Sequence, residues 1–210
     1  MSWWTDRQDK DPYVKLRDKK QYISRAYFKI QEINDKYYII KKNSYILDLG
    51  AAPGGWSQFF TQYSKNIYAI DILDNFKIED VNFFVHDVFK NDLFETFPDF
   101  DLICSDMAPN MCGNKFIDQA NSINLCFRVL EISRFKLRYN GTLVMKTFEG
   151  EDFDLLIKDC RSSFGLVKAY KPKSSRVESK ELYVICKYFK LNKKNNTSNI
   201  WYLSILLNNF

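Results

Sequence analysis

Residues 47–60 read LDLGAAPGGWSQFF: an apolar run holding one aspartate, Asp48, then a turn with three of the chain's seven glycines, then an aromatic-rich segment. Glycine in ordered structure gives up packing and costs backbone entropy. Such density therefore marks either a tight turn or a place where a ligand lies against bare backbone. The pattern reads as a strand over 45–49, a turn, and a helix over 56–63.

Working outward, short apolar runs alternate with helical patterns. Strands are predicted over 66–71, 82–86, 101–105, 142–148, 166–170 and 181–188, and helices over 120–138 and 153–164. Ser24 followed by RAYFKIQEI predicts a capped amphipathic helix, with Phe28, Ile30 and Ile33 packing inward while Lys29 points elsewhere. Strands separated by helices build a mostly parallel α/β sheet with helices on both faces. The last two strands have no helix between them, so they are expected to run antiparallel at one edge. The prediction is a single seven-stranded domain over 1–190, in which 1–35 is a basic extension and a helix contributing to the site. The Asn/Lys-rich 191–210 reads as a tail, either flexible or packed.

The 210 residues are 46% hydrophobic and 27% charged, a globular balance, and no apolar stretch approaches the roughly 20 residues of a membrane helix. A soluble monomer with no membrane partner is expected. Of the five cysteines none forms a C-x-x-C pair and four lie in apolar patterns, which predicts reduced, packed thiols. With His86 the only histidine, no metal site is expected. The first twenty residues lack the apolar core of a secretory signal and carry too many acids for a transit peptide. An intracellular setting is expected, with mitochondrion or another organelle, cytoplasm and nucleolus all left open. The sequon at Asn195 reads as chance in a chain of free thiols.

In open α/β sheets, ligands bind beyond the carboxyl ends of the strands, where strand order reverses. That rule turns Asp48, Gly50, Pro53, Gly54, Gly55 and Trp56 into a candidate ligand turn, with N–H groups of the following helix facing the ligand. Asp71 ends the second strand, where an acid takes ribose hydroxyls. Asp87 follows the third, where a carboxylate meets the exocyclic amine of adenine. Together they describe an adenosine ligand. The run from Gly50 lacks the G-x-G-x-x-G of dinucleotide sites, and Asp48 and Asp106 make the pocket acidic. An acidic pocket suits a cation, and S-adenosylmethionine carries an ammonium and a sulfonium.

Five motifs then stand in order: SRAYFK from Ser24, DLGAAPGGWSQ from Asp48, SDMAPNMCG from Ser105, VMKTFEG from Val144 and KPKSSRVESKELYV from Lys171. In these, over about residues 3–188, the chain resembles the FtsJ/RrmJ family of RNA ribose 2′-O-methyltransferases. The resemblance implies a Rossmann-like class I S-adenosylmethionine-dependent methyltransferase fold and a catalytic set on Lys29, Asp106, Lys146 and Glu181. It also implies cofactor contacts at Gly54, Trp56, Asp71, Asp87 and Asp106.

The chemistry agrees in outline. Methyl transfer to a hydroxyl is an in-line displacement, so oxygen, carbon and sulfur must be held collinear and the hydroxyl proton removed. Lys146, inside an apolar run, is costly to bury without a task. It either takes that proton or directs an oxygen lone pair, and the residues leave both open. Plainer readings stand beside these: Lys29 on an exposed helix face, Glu181 paired with Arg176 or Lys180, Asp106 capping its strand, and Trp56 packed under the turn.

The net charge of +5 is concentrated over 10–29 and 168–180. Such clusters are either a solvated face or a phosphate track. An RNA substrate makes them a track, with Lys19, Lys20, Arg25, Lys173 and Arg176 as its RNA-binding residues. The spellings APGGWSQ and SDMAPNMCG resemble the branch acting on a uridine of large-subunit ribosomal RNA, free or within a ribosomal particle. The alternatives are the tRNA anticodon-loop branch and a non-catalytic RNA-binding assembly factor.

Overall fold

The computed structural model describes residues 11–90, 92, 96–109, 112–150, 152–176 and 179–190; Lys10, Asn110, Met111, Asn195 and the tail 191–210 lie outside them. Seven strands form one sheet: β1 (Ile46–Leu49), β2 (Ile67–Asp71), β3 (Asn82–Val85), β4 (Phe100–Ser105), β5 (Leu137–Phe148), β6 (Phe164–Tyr170) and β7 (Glu181–Phe189). Their spatial order is β3-β2-β1-β4-β5-β7-β6. The helices are α1 (Pro12–Lys20), α2 (Ala26–Tyr37), α3 (Gly55–Phe60), α4 (Lys115–Lys136) and α5 (Phe153–Ser163).

From β1 the chain steps outward to β2 and β3, then returns to β4 on the other side of β1. Strand order therefore reverses between β1 and β4, which opens a crevice beyond their carboxyl ends. The antiparallel pair closes the far edge of the sheet as predicted. Within it the reversed strand is the inner one, since β7 runs antiparallel to both β5 and β6. The burial patterns give the reason: β7 is buried along most of its length, whereas β6 is mainly half-buried or exposed. The more apolar strand takes the gap between two neighbours.

The register decides which side chains meet. Asp48 pairs with Cys104, Cys104 with Val144, and Val144 with Ile185; two residues further along, Lys146 faces Tyr183. Side chains alternate along a strand, so these residues share one face. Its apolar part packs against α2 and α3 through Ile30, Ile33, Phe59 and Phe60. The opposite face, with Leu47, Ile103, Leu143 and Val184, packs against Val129 and Leu130 of α4 and Leu156 of α5. The polar residues that end the strands on the α2/α3 side are thus delivered to the crevice by parity alone.

Three local readings change. α1 carries no helical signal in its periodicity, because it buries only Val14 and so lacks an apolar stripe. Its signal is Asp11-Pro12: the Asp11 side chain accepts the Tyr13 N–H at 3.0 Å and proline stands in the first turn. Ser24 does not cap α2. The helix begins after Arg25, and Ser24 Oγ is buried without a partner, packed against Gly55. α4 starts before the predicted residue 120, where Asn114 accepts the N–H groups of Phe116 and Ile117. All five cysteines are free thiols; four are buried and Cys112 is exposed.

Candidate active site

The four residues expected to act together come from α2, the end of β4, β5 and the start of β7, and they meet at one place. Lys29 Nζ lies 2.7 Å from Glu181 Oε1 and 2.9 Å from Oε2. Lys146 Nζ lies 3.1 Å from Asp106 Oδ1 and also donates to the Asp106 backbone carbonyl. Two cations and two carboxylates make a neutral cluster, the condition under which charges tolerate near-complete burial. All four side chains are 18% exposed or less.

Tyr183 joins the two pairs. Its hydroxyl donates to Asp106 Oδ1 at 2.7 Å, and Lys29 Nζ stands 5.7 Å from its ring centroid. Burial works to raise the Asp106 carboxyl, but the Lys146 and Lys29 cations outweigh it and hold the group below the usual carboxylate range. Burial, then Asp106 and Glu181, push the Tyr183 phenol well up. At neutral pH the pair is therefore a carboxylate and a neutral donor. Sequence reading missed Tyr183; its signal was the two-residue period of β7, which sets it on the face of Glu181.

The glycine turn divides its labour. Gly54, at φ 116, enters α3 in a conformation that other residues adopt only with strain, and it follows the cis peptide Ala52–Pro53. Gly50 ends β1 against Met107 of the loop after β4. At Gly55 a Cβ would sit 2.0 Å from Ser24 Oγ, so its small size lets the start of α2 meet α3. Trp56 keeps its side chain in the core. Only 2% exposed, it donates its indole N–H to Ala26 O at 3.0 Å and packs 5.7 Å from the Tyr183 ring.

The three strand-end acids each accept from a nearby donor. Asp71 accepts the N–H of Ala52 at 2.9 Å and of Leu73 at 3.0 Å, one on each oxygen, which ties the turn to β2. Each oxygen keeps a second lone pair. Asp87 Oδ1 accepts the Phe89 N–H at 3.0 Å. Asp48 is fully buried; Oδ2 accepts the Ser57 hydroxyl at 2.7 Å and Oδ1 has no partner. Burial drives its pKa up to about 7, helped by Asp106 and Asp71 and opposed by the Ser57 bond. A buried carboxylate oxygen without a donor, beside two further acids, fits a ligand that brings positive charge and repels a pyrophosphate.

The two basic clusters also converge. Arg25 is ion-paired with Asp11 and donates to Ser174 O, which joins the start of α2 to the loop after β6. Arg176 lies 3.9 Å from the same Asp11 carboxylate. Arg25 is therefore engaged inside the protein, while Lys19, Lys20 and Lys173 are exposed beside that junction in the chain. Among the described residues no group of three His, Cys, Asp or Glu stands ready for a metal ion, and no helix is long and apolar enough to cross a membrane.

The sequence matches the FtsJ-like methyltransferase family over residues 22–189. A protein named ribosomal RNA large subunit methyltransferase E from Ehrlichia chaffeensis is 42% identical over 197 residues, 89% of this chain and 92% of that one. Its namesake from Buchnera aphidicola is 40% identical over 191 residues, 87% of this chain and 91% of that one. A Plasmodium falciparum crystal structure, provisionally described as a ribosomal RNA methyltransferase, superposes with a TM-score of 0.72 at 32% identity, covering 81% of this chain and all of that one. Matched over most of its length, and with its motif residues gathered beside the crevice where the strand order reverses, the chain belongs to the FtsJ-like methyltransferase family.

Proposed function

We propose that this methyltransferase uses S-adenosylmethionine to methylate a ribose 2′-hydroxyl of RNA, a uridine of large-subunit ribosomal RNA. The observation that carries the reading is the Lys146–Asp106 pair near the end of β5, beside a turn flanked by Asp48 and Asp71. When bound, S-adenosylmethionine supplies an electrophilic methyl group. Asp71 offers its remaining lone pairs to ribose hydroxyls, and Asp48 and Asp106 set negative charge near the cationic end of the ligand.

Lys146 has three N–H donors, and Asp106 accepts two of them. The third holds the incoming hydroxyl oxygen, which makes Lys146 an orienting donor and places the oxygen in line; the hydroxyl, made acidic as its oxygen takes the methyl group, releases its proton late, to solvent. Lys29, clamped on Glu181, brings a second cation to the sugar-phosphate. The exposed Lys19, Lys20 and Lys173 extend the positive surface away from the site, so affinity for RNA falls with salt. Ribosomal RNA as substrate is supported by the names of the relatives.

The test is methyl transfer from labelled S-adenosylmethionine by the purified protein to large ribosomal subunits, free large-subunit RNA and tRNA, with the 2′-O-methyl position mapped. Label on one uridine of the large-subunit RNA is expected. Label confined to tRNA, or to a base rather than a ribose, overturns the reading.

A further inference from the structure

One turn beyond Lys29, α2 carries an acid that sequence reading left unused. Glu32 Oε1 accepts the Lys173 N–H at 2.8 Å and the Tyr170 hydroxyl at 3.2 Å. Its Oε2 accepts the Ser174 N–H at 3.2 Å and the Ser174 hydroxyl at 3.0 Å. Four donors from one short segment thus converge on a single carboxylate, far more than a surface turn needs to close. Lys173 is exposed, but the two residues after it are shut in, Ser174 at 0% and Ser175 at 6% exposure. The next residue, Ser175, donates to Glu181 Oε1 at 2.7 Å, the same oxygen that Lys29 meets at 2.7 Å.

We propose that Glu32 is a positioning residue for methyl transfer: by holding the backbone at 173–174 it sets Ser175, which orients the Glu181 carboxylate and through it Lys29. The i, i+3 spacing puts Lys29 and Glu32 on one face of α2, so one rigid helix supplies both the cation and the clamp that orders its partner. A carboxylate fits because each of its oxygens faces a backbone N–H, which can only donate; an amide in either orientation would turn its own N–H groups toward one of them. Arg25, ion-paired with Asp11, closes the segment from the other side through Ser174 O. The chain from Glu32 to Lys29 involves no residue of the glycine turn, so cofactor binding is left out of it.

The inference rests on the functional reading above. Its test compares the wild-type protein with Glu32→Gln, Ser175→Ala and the double variant, in methyl transfer from labelled S-adenosylmethionine to large ribosomal subunits. Each single substitution is expected to lower kcat by about 10-fold, with the cofactor KM unchanged within about twofold. The double variant is expected to lie within about twofold of the slower single variant, because both act through Glu181. Full activity in Glu32→Gln, a raised cofactor KM, or a double variant showing the product of the two losses overturns the proposal; the last is what two unconnected packing defects produce. Should Glu32→Gln not fold, Ser174→Ala removes one of the four donors and takes its place in the cycle. A wild-type protein that transfers no methyl to RNA would instead sink the functional reading.

Discussion

Lys146 and Tyr183 are directly opposed across the antiparallel ladder of β5 and β7, and both reach one carboxylate, Asp106, at 3.1 Å and 2.7 Å. Opposed residues of such a pair present their side chains on the same face. The position of the central lysine is therefore set by backbone pairing in the body of the sheet rather than by a loop. A group held on rigid strands keeps the geometry that an in-line displacement demands.

Removing that lysine should abolish turnover while sparing cofactor binding. Lys146→Ala is expected to reduce methyl transfer by roughly 10²- to 10³-fold, the loss of a positioned donor. Lys146→Arg should not rescue it, since a planar fork cannot replace a compact ammonium wedged against Asp106. The check is single-turnover methyl transfer alongside calorimetric cofactor binding.

Tyr183→Phe keeps the ring and deletes one donor to Asp106. Leaving a buried carboxylate short of that bond costs about 1–3 kcal/mol. A lower melting temperature and about a tenfold slower transfer are expected, with cofactor affinity nearly unchanged. Thermal unfolding and rate measurements on the same preparation decide the matter.

Asp48 should make stability depend on pH. Its folded-state pKa of about 7 lies above the ordinary 3.8, so between those values the folded protein holds a proton that the unfolded chain has released. Its contribution is complete below the unfolded value and is lost as pH rises to about 7, at up to about 1.4 kcal/mol per unit. Without cofactor, the wild-type protein should therefore lose more stability from pH 5 to pH 7 than Asp48→Asn does. A bound cation favours the ionised carboxylate, so cofactor binding at pH 6 should release protons, and that release should vanish in Asp48→Asn. Calorimetry in buffers of different ionisation enthalpy measures it.

Gly55→Ala should destabilise by about 1–3 kcal/mol through overpacking, because the new methyl would meet Ser24 Oγ at 2.0 Å. Ser24→Ala alone should be neutral or stabilising, as it removes a buried hydroxyl without a partner. The double variant should recover part of the loss, since Ser24 Cβ stands farther off, 3.3 Å from where the methyl of residue 55 would sit. Denaturant titration of the three variants gives the coupling energy.

Much of the site was legible before any coordinates. The strand–turn–helix around Asp48 and Gly54 follows from local periodicity and glycine, and the two-residue alternation of β5 sets Lys146 on the same face as Val144. These are short-range rules that need no partner strand, whereas the placing of Asp48 on that same face depends on the register through β4. Gly55 and Trp56 show where such rules stop. The start of α2 packs against one and accepts the indole N–H of the other through Ala26 O, and nothing local announces that contact.

By itself the sequence determined the strand–helix alternation, the glycine turn and the chemical types in the four-residue cluster. Only the tertiary structure decided that Lys29 pairs with a carboxylate 152 positions away, that Tyr183 links the two ion pairs, and that the reversed strand lies inside the edge. The reason is physical: backbone periodicity is imposed by sterics within a few residues, whereas charge pairing depends on which strand buries best beside β5 and on where α2 docks, and both are outcomes of packing the whole chain.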